Sequence, residues 1–544
     1  MSVEPGYLDW SKVWQETSPE AVERVTALLR AGEIHEAIIM TGDQTHLPVG
    51  YHRADDGRLV IVGPRQCLAP PMDKWGWSLQ LYSLRSERSW GIGDFADMRV
   101  FGRWAKGSGA SMVLVNPLSA PMPGKPQQAS PYYPSSRLFL NPIYIAVDQV
   151  AGADDLPAEL VVAGRALNAS PLIDRDAVFD VKMRALRIIW KTFKGDPRFD
   201  SFCAETAALR DFARFADPDA IEFHSWLQWL ADVQLTEVMG EIDVIQDVAV
   251  GIDPDGFDAQ SFGDVFVKGA RVGAPPDRFN TKGQNWGLPP FDPLALADAR
   301  YEPFIQMIRR SMRGGGGVRI DHVMGLFRLW WIPAGCSPDA GAYVRYPADE
   351  LLAILALESH LAGAYVVGED LGTVEKNVRQ ELSRRRILSY RLMLFNGAQR
   401  ARYPRLSLAT VSTHDLPTIA GLWTGSDLDE QIRLDLAPNV DETLRLLKML
   451  SRLTDADEST PIDDIIVKTY ERLAEVDSAL IAASLEDVLG AERRPNIPGT
   501  TRADRPNWCI PLPLTLEQVM VDPVVARVAE TLSRARPFTG SDLV

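Results

Sequence analysis

The sequence predicts an α/β protein built on a closed barrel of eight parallel strands, a (β/α)8 TIM barrel. Short apolar runs recur from about residue 70 onward, and helical patterns separate them. Several of these runs are apolar without alternation, as in strands that are covered on both faces. About eight such runs occur, which is the number that closes this kind of barrel. We expect large, mainly helical insertions between the strands and a short N-terminal extension.

Each strand is predicted where a short apolar run ends in a cluster of polar residues. The eight predicted strands are residues 75–84, 111–118, 243–252, 317–323, 364–372, 389–396, 408–415 and 480–490. Because strands alternate with helical stretches, we expect each strand and its following helix to form one parallel β/α unit.

The chain is predicted to consist of a short first segment and one long catalytic barrel. Residues 1–65 combine a helical stretch at 18–31 with a hairpin pattern around the turn ADDG, and residues 66–544 form the barrel. Some intervals between strands are too long for a single helix. They are predicted to be insertions at about 120–240, 253–300 and 425–480.

Composition narrows the classes of function. The hydrophobic fraction of 46% and the charged fraction of 24% are typical of a globular protein. A net charge of -16 disfavours a nucleic-acid partner and favours an uncharged one. No secretory signal, membrane-spanning run or metal-ligand spacing is apparent, and the four cysteines lie far apart. We therefore expect a cytoplasmic protein that needs no metal or cofactor, with no membrane or protein partner implied.

Charged residues collect at the C-terminal ends of the predicted strands, where barrels of this class carry their reacting groups. This set contains Asp247, Arg319, Asp321, Glu369, Asp370, His414 and Asp415. Residues i and i+2 of a strand share a face, so Arg319 should lower the pKa of Asp321 and keep it ionised as a nucleophile. Glu369 follows an apolar run, where burial raises a carboxyl pKa as a general acid requires. Two carboxyls in such different environments suit glycoside chemistry.

Each of these motifs also has a structural alternative. Arg319 and Asp321 can form an ion pair that only stabilises a strand end, and the order of the motifs on successive strands is more specific than any one of them. A separation of about 5–5.5 Å between Asp321 and Glu369 would give a retaining reaction through a covalent intermediate. The glycines at 314–317 lack the lysine and hydroxyl of a phosphate loop, so we interpret them as a flexible entry to the next strand.

A long loop at 273–293 is predicted to contact a sugar. It carries three aromatic residues, Phe279, Trp286 and Phe291. Exposed aromatic faces can stack on pyranose rings, and Gln284 and Asn285 can reach hydroxyl groups. The alternative is a loop whose Trp286 fills its own small core.

A second loop, at 130–142, is rich in Tyr and Pro and follows a predicted strand end. Tyr132 and Tyr133 are available there for stacking on a sugar. By contrast, Trp330 and Trp331 are expected to contribute mostly to packing.

Eight stretches occur in a recognisable order between about residues 45 and 510. They are YSLRSERSWGIGDFADM, SPYYPSSRLFLNPIYI, PPDRFNTKGQNWGLPPFDP, VRIDHVMGLFRLWWIP, VVGEDLGTV, STHDLPTIAGLW, and NIPGT with RPNW. Together they resemble the 4-α-glucanotransferases called amylomaltases or disproportionating enzymes, glycoside hydrolase family 77. Two of them, GQNWGLPPFDP and RIDHVMGLFRLWWIP, look most like the bacterial maltodextrin-pathway subtype.

The resemblance implies Asp321 as the nucleophile, Glu369 as the acid/base and Asp415 as a third carboxylate that grips sugar hydroxyls. It also implies a set of substrate-binding residues, namely Tyr132, Asp247, Asp277, Gln284, Asn285, Trp286, Arg319 and His414. The implied activity is transfer of α-1,4-glucan segments between maltooligosaccharides, by double displacement through a glycosyl-aspartate. The loop departs from many relatives in reading WGLPPF, and the part before residue 65 is shorter than in the long bacterial subtype.

Three other functions remain open at this point. A hydrolase of the same barrel class, of the α-amylase or debranching type, would use the same carboxylates. A catalytically silent glucan-binding protein would not need all three acids. A nucleotide-dependent glycosyl transferase would need a phosphate-cradling motif, which the sequence does not show.

Overall fold

The computed structural model describes residues 2–9, 11–277 and 282–537. Its strands, in chain order, are β1 (Gly6–Leu8), β2 (Trp14–Glu16), β3 (Ile38–Met40), β4 (Gly50–Arg53), β5 (Leu59–Val62), β6 (Lys74–Leu79), β7 (Met112–Val115), β8 (Ser119–Ala120), β9 (Ser136–Leu140), β10 (Asp243–Val248), β11 (Ala270–Ala274), β12 (Gln284–Asn285), β13 (Gly316–Ile320), β14 (Arg328–Pro333), β15 (Ala342–Arg345), β16 (Ala364–Gly368), β17 (Leu388–Leu392), β18 (Ser407–Thr410) and β19 (Leu480–Ser484).

Helices lie between and around these strands. In chain order they are α1 (Pro19–Thr26), α2 (Phe95–Gly107), α3 (Ala158–Ala166), α4 (Arg175–Thr192), α5 (Pro197–Glu205), α6 (Leu209–Ala216), α7 (Ile221–Met239), α8 (Phe257–Ser261), α9 (Pro293–Asp298), α10 (Glu302–Ser311), α11 (Ala348–Ala362), α12 (Val378–Arg384), α13 (Met393–Asn396), α14 (Ile419–Thr424), α15 (Ser426–Arg433), α16 (Val440–Thr454), α17 (Ile462–Ala474), α18 (Leu485–Val488), α19 (Leu516–Val519) and α20 (Pro523–Ala535). Among these described helices, none has the length and apolar character needed to span a bilayer.

Eight parallel strands close into a barrel in the order β10-β13-β16-β17-β18-β19-β6-β7, which confirms the predicted fold class. Each of the eight predicted strands contributes one barrel strand, but the predicted ends were too long. The prediction 408–415 fails at its end, because a turn closed by Leu416 N–H donating to Thr413 O at 3.2 Å takes the chain out of the sheet. The prediction 480–490 is likewise a strand only to Ser484, and α18 follows it.

The barrel interior changes from apolar to polar along its axis. One buried cluster fills it, with Ile245, Tyr365, Val367, Tyr390 and Leu480 among its members. Side chains two apart on a strand share a face, so Asp247 and Glu369 lie on the same inner face as Ile245 and Val367, two residues before them. The barrel therefore has an apolar interior and a charged C-terminal rim.

The glycine run before β13 has a steric explanation rather than the flexible one predicted. Gly316 and Gly317 are strand residues. A Cβ on Gly317 would lie 2.7 Å from the Tyr365 ring, and Gly316 has a φ of +66° with Val244 O 2.7 Å from the position of a Cβ. The absence of side chains lets β13 pass the Tyr365 ring and its neighbouring strand.

The segment before the barrel contains more strand than predicted. The hairpin of β4 and β5 is present, and β3 adds to it as a parallel partner of β5. The predicted helix at 18–31 forms only as α1, where Ser18 caps the first turn by accepting from Ala21 N and a proline opens the helix. β1 and β2 form a separate antiparallel pair.

The intervals between barrel strands are filled in different ways. Helices α3 to α7 lie between β7 and β10, and α14 to α17 lie between β18 and β19. A four-stranded sheet of order β12-β11-β14-β15 is built from segments on both sides of β13. The sequence prediction treated its first part as a loop and did not identify β14 and β15 as strands.

Candidate active site

Two carboxyl residues follow directly on the ends of neighbouring strands. Asp321 comes after β13 and donates its N–H to Val248 O at 3.1 Å, and Glu369 comes after β16 and donates to Ile320 O at 3.0 Å. These bonds continue the ladders of the barrel by one residue. The backbones of both residues are therefore held by the sheet itself.

Arg319 lies between two carboxylates at this rim. It is buried, and its Nη1 donates to both oxygens of Asp247 at 2.6 Å. The same nitrogen lies 3.1 Å from Oδ1 of Asp321, so the expected contact between Arg319 and Asp321 is present. The guanidinium also sits over the ring of Tyr390, with its central carbon 5.0 Å from the ring centroid. The charge of Arg319 is thus shared between two acids.

The expected direction of the Asp321 pKa is wrong. Burial raises the pKa of this carboxyl to about 6, and the opposing effect of Arg319 does not overcome it. Asp247 adds to the rise because it is a like charge that also occupies the guanidinium. Since about 6 is still below neutral pH, Asp321 is mainly ionised there.

Glu369 shows the expected shift. Burial, followed by the neighbouring charge of Asp321, raises the pKa of Glu369 to about 8. Its two oxygens accept from the backbone N–H groups of His322 at 2.9 Å and Leu371 at 2.6 Å, which fix the carboxyl in place. At neutral pH this residue holds a proton while Asp321 mostly does not.

The pair His414 and Asp415 lies on the loop after β18. Nε2 of His414 is 3.5 Å from Oδ2 of Asp415. Burial lowers the pKa of His414, but Asp415 more than offsets this, and the net pKa is raised. Burial raises the pKa of Asp415, and His414 together with Asn496 brings it below its ordinary value. The Asp415 side chain is 42% exposed, so solvent screens this pair.

A distant segment holds this loop. Asn496 donates its amide to Asp415 Oδ1 at 2.7 Å and its backbone N–H to His414 O at 3.0 Å. Arg494 donates to Asp415 O at 2.5 Å and is paired with Asp427 of α15 at 2.8 Å. The side chain and backbone of Asp415 are therefore both bound by residues about 80 positions further along the chain.

Tyr132 reaches into the same site from the loop between β8 and β9. Its hydroxyl donates to Asp247 Oδ2 at 2.6 Å and lies 3.3 Å from Nδ1 of His414. Its ring lies 4.8 Å from the ring of His414 and 5.3 Å from that of Trp508. Tyr132, Asp247, Arg319 and His414 line one cavity.

The loop with Trp286 lies against the rim beside Glu369. The backbone N–H of Trp286 donates to Val272 O at 3.0 Å. The Trp286 ring meets the His322 ring edge-on, with the ring centroids 5.1 Å apart. Gln284 Oε1 accepts from the indole at 3.2 Å, and Asn285 Oδ1 accepts from Gly287 N at 2.9 Å. Trp286 is partly exposed, and its ring contacts the barrel rim as well as its own loop.

Other predicted loop residues behave differently. Asp277 is the last described residue before the gap at 278–281, and Phe279 lies outside the described residues. Phe291 stacks on Phe266 at 4.6 Å, which is a packing contact. Trp330 and Trp331 are buried, as expected of packing residues.

Asp370 does not belong to the site, although it follows Glu369. It is fully buried and accepts from Arg379 at 2.8 Å, Ser389 Oγ at 2.5 Å and Tyr390 N at 2.9 Å. A structural role explains it completely.

Sequence reasoning also missed residues that the fold brings to the site. Asn496 and Trp508 belong to the stretches NIPGT and RPNW, which carried the resemblance without being given a role. The cavity further contains Gln80, Asn116 and Glu486, which follow β6, β7 and β19. Their position just past a strand end is the signal that could have found these three. Within the described ranges, no group of three or more His, Cys, Asp or Glu residues is arranged to hold a metal ion.

In a closed parallel barrel, two carboxyls on adjacent strand ends, with the pKa of Glu369 raised above that of Asp321, form an arrangement suited to glycosidic-bond chemistry. The family model described as 4-alpha-glucanotransferase matches residues 79–217 and 216–515. The chain therefore belongs to the 4-α-glucanotransferases of glycoside hydrolase family 77, as the sequence motifs predicted. Members of this family are transferases that act on α-1,4-glucans.

Individual relatives support this assignment. The 4-alpha-glucanotransferase of Mycobacterium tuberculosis (strain ATCC 25618 / H37Rv) is 36% identical over 585 residues, covering 90% of this chain and 80% of the relative. That of Haemophilus influenzae is 32% identical over 568 residues, covering 85% and 80%. The amylomaltase structure from Corynebacterium glutamicum superposes with a TM-score of 0.87 at 28% identity, covering 98% of both chains. An amylomaltase from Streptococcus agalactiae in complex with acarbose shares the fold, with a TM-score of 0.71 at 18% identity over 85% of this chain and 99% of the other.

Proposed function

We propose that this protein disproportionates maltooligosaccharides by a retaining double displacement, with Asp321 as nucleophile and Glu369 as acid/base. One arrangement carries the proposal most strongly: the sheet holds Asp321 and Glu369 on adjacent strand ends, and the pKa of Glu369 is raised above that of Asp321. A general acid next to an ionised nucleophile is the protonation state in which the first step begins.

In the first step, a carboxylate oxygen of Asp321 forms a bond to the anomeric carbon of the donor. The bond from that carbon to the glycosidic oxygen breaks, and Glu369 gives its proton to this oxygen. The reducing-end fragment leaves as an alcohol, and the rest of the glucan stays as an ester on Asp321.

In the second step, the 4-hydroxyl of an acceptor glucan attacks the same carbon. Glu369, now a carboxylate, takes the proton from this hydroxyl, and the ester bond to Asp321 breaks. A new α-1,4 bond results, and both carboxyls return to their starting states. The two inversions together retain the configuration.

The remaining site residues would bind and orient the donor sugar. Arg319 pairs with both Asp247 and Asp321 and so positions the proposed nucleophile. The partly exposed ring of Tyr132, beside His414, is available to stack on the donor sugar. Asp415, with its exposed carboxylate, is placed to accept hydroxyl groups of the reacting sugar. Distortion of the ring by these contacts would favour the transition state.

Transfer requires that an acceptor sugar reaches the ester before water does. We assign this role to the loop of Trp286, whose side chain is partly exposed beside the Glu369 rim. Gln284, Asn285 and Asp277 accompany it, with the first two bracing the loop through their own hydrogen bonds.

The substrates would be maltooligosaccharides and α-1,4-glucans as both donor and acceptor, with no cofactor in the reaction. We place the protein in the cytoplasm, and the four free thiols, of which Cys67 and Cys509 are buried, agree with a reducing compartment.

The test is incubation of the purified protein with maltotriose alone, followed by separation of the products by size. Glucose with a ladder of longer maltodextrins is the expected result. Products no longer than maltotriose would instead identify a hydrolase. No reaction with maltotriose, and none when longer maltodextrins are supplied as the substrate, would identify a silent glucan-binding protein.

A further inference from the structure

The turn after the nucleophile connects the acceptor loop to the acid/base. We propose that His322 is a positioning residue that couples Trp286 to Glu369, so that the acceptor loop and the proton-transfer group are held as one unit. This inference rests on the proposed function, because it assigns the transfer step to that loop and the proton to Glu369.

The backbone of His322 supplies the first half of the coupling. Its φ of +49° and ψ of +58° lie in the left-handed region, which is uncommon for residues other than Gly, although Asn, Asp and His adopt it more often than the rest. In this conformation its N–H donates to Glu369 Oε2 at 2.9 Å, and the next residue, Val323, donates to Glu369 O at 2.9 Å. An unfavourable backbone conformation thus aims two successive N–H groups at the acid/base residue.

The ring of His322 supplies the second half. It meets the indole of Trp286 at 5.1 Å with an interplanar angle of 76°, the edge-on geometry that aromatic pairs prefer. Trp286 directly follows β12, and its backbone N–H donates to Val272 O of β11, so this contact links the four-stranded sheet to the barrel rim. Burial lowers the pKa of the His322 ring to about 4, and the ring is therefore neutral where the enzyme works.

A turn that serves only folding would need the left-handed backbone but not the ring. Asn adopts the left-handed conformation more readily than His and keeps the N–H that Glu369 accepts. His322→Asn therefore removes the contact with Trp286 and leaves the backbone bond. His322→Gly does the same with no side chain, and it serves as the second variant if the first folds poorly.

The experiment separates the two half-reactions with an aryl α-maltooligoside donor. The burst of aryl alcohol in the first turnover, without added glucose, reports the first step, and turnover with added glucose reports transfer. For His322→Asn we expect the KM for glucose to rise about fivefold and the ratio of transfer to hydrolysis to fall about fivefold, the range for one lost aromatic pair. The first step should lose distinctly less than transfer does.

A double-variant cycle decides whether the effect passes through Trp286. Adding His322→Asn to Trp286→Ala should cause no further fall in the transfer ratio, because the contact is already lost. Equal losses in both half-reactions, or full additivity of the two substitutions, would overturn the coupling. A wild-type enzyme that only hydrolyses would contradict the proposed function instead, which separates the two failures.

Discussion

Asp321 and Glu369 are held in a different way from His414 and Asp415. The first two continue barrel strands, and their own backbones complete the ladders of the sheet. The second two lie on a loop and depend on Asn496, far along the chain. The proposed reacting pair is thus positioned by strand register, whereas the proposed sugar-binding pair is positioned by long-range side-chain contacts. The two regions should therefore respond differently to substitution.

The largest effect is expected on the strand-end side, at the nucleophile. Asp321→Asn removes the charge that forms the ester, and kcat/KM should fall by about 10⁴-fold or more while the fold persists. Disproportionation of maltotriose and the thermal unfolding midpoint would be measured together. Retained turnover in a folded variant contradicts the role of Asp321.

Glu369→Gln tests the other strand-end carboxyl, with an expected loss of about 10³-fold in kcat. Activity needs Asp321 ionised and Glu369 protonated, and the pKa values of about 6 and about 8 therefore predict a bell-shaped profile of kcat/KM against pH. Activity should fall below the lower value and above the upper one. The variant should lose the alkaline limb when an aryl donor with a good leaving group is used.

An unchanged alkaline limb in Glu369→Gln would assign that limb to another group. The wild-type profile on the same aryl donor is the control, since it fixes both limbs under identical conditions.

On the loop side, the expected effect is on stability. Arg494→Met leaves the buried carboxylate of Asp427 with the Gln431 amide but without its ion-pair partner, and the free energy of unfolding should fall by about 3–5 kcal/mol. Arg493→Met is the matched control. Arg493 is 45% exposed, and its partner Glu430 keeps Arg505, so at most about 1 kcal/mol is expected. Equal changes in denaturant midpoint would show that the Arg494 pair does not hold this segment.

Asn496→Ala removes a donor from Asp415 without touching the reacting pair. We expect a loss of about tenfold in kcat/KM, because water can replace part of the bond at a carboxylate that is 42% exposed. The acidic limb of the pH profile, set by Asp321, should stay in place. A loss as large as that of Asp321→Asn would mean that the loop side is as rigidly required as the strand side.

The smallest effect is expected at the aromatic loop. Trp286→Ala should lower the ratio of transfer to hydrolysis about fivefold and leave the first step less affected, while Trp286→Phe should keep most of the ratio. The ratio is measured from the products of maltotriose, because hydrolysis adds free reducing ends and transfer does not. A ratio that does not change would remove Trp286 from the transfer step.

The same comparison explains how much the sequence could predict. The eight barrel strands were predictable because each is a short apolar run, and the positions of Asp321 and Glu369 followed from their strand ends. Asn496 was not predictable, since no local pattern indicates which distant amide will meet Asp415. The shift of the Asp321 pKa was predicted with the wrong sign because the sequence shows the adjacent Arg319 but neither the burial of Asp321 nor the contact between Arg319 and Asp247. The sheet that carries Trp286 was missed because its strands are short and lie on both sides of β13.

That divided sheet limits how the enzyme can be re-engineered. Its strands β11 and β12 precede the nucleophile strand, β14 and β15 follow it, and β11 pairs directly with β14. A loop cassette cut at residues 273–293 would therefore be separated from the strand that supports it. A piece that keeps this sheet whole, such as the stretch 270–345, would therefore also exchange Asp321, the proposed nucleophile, for that of the homologue.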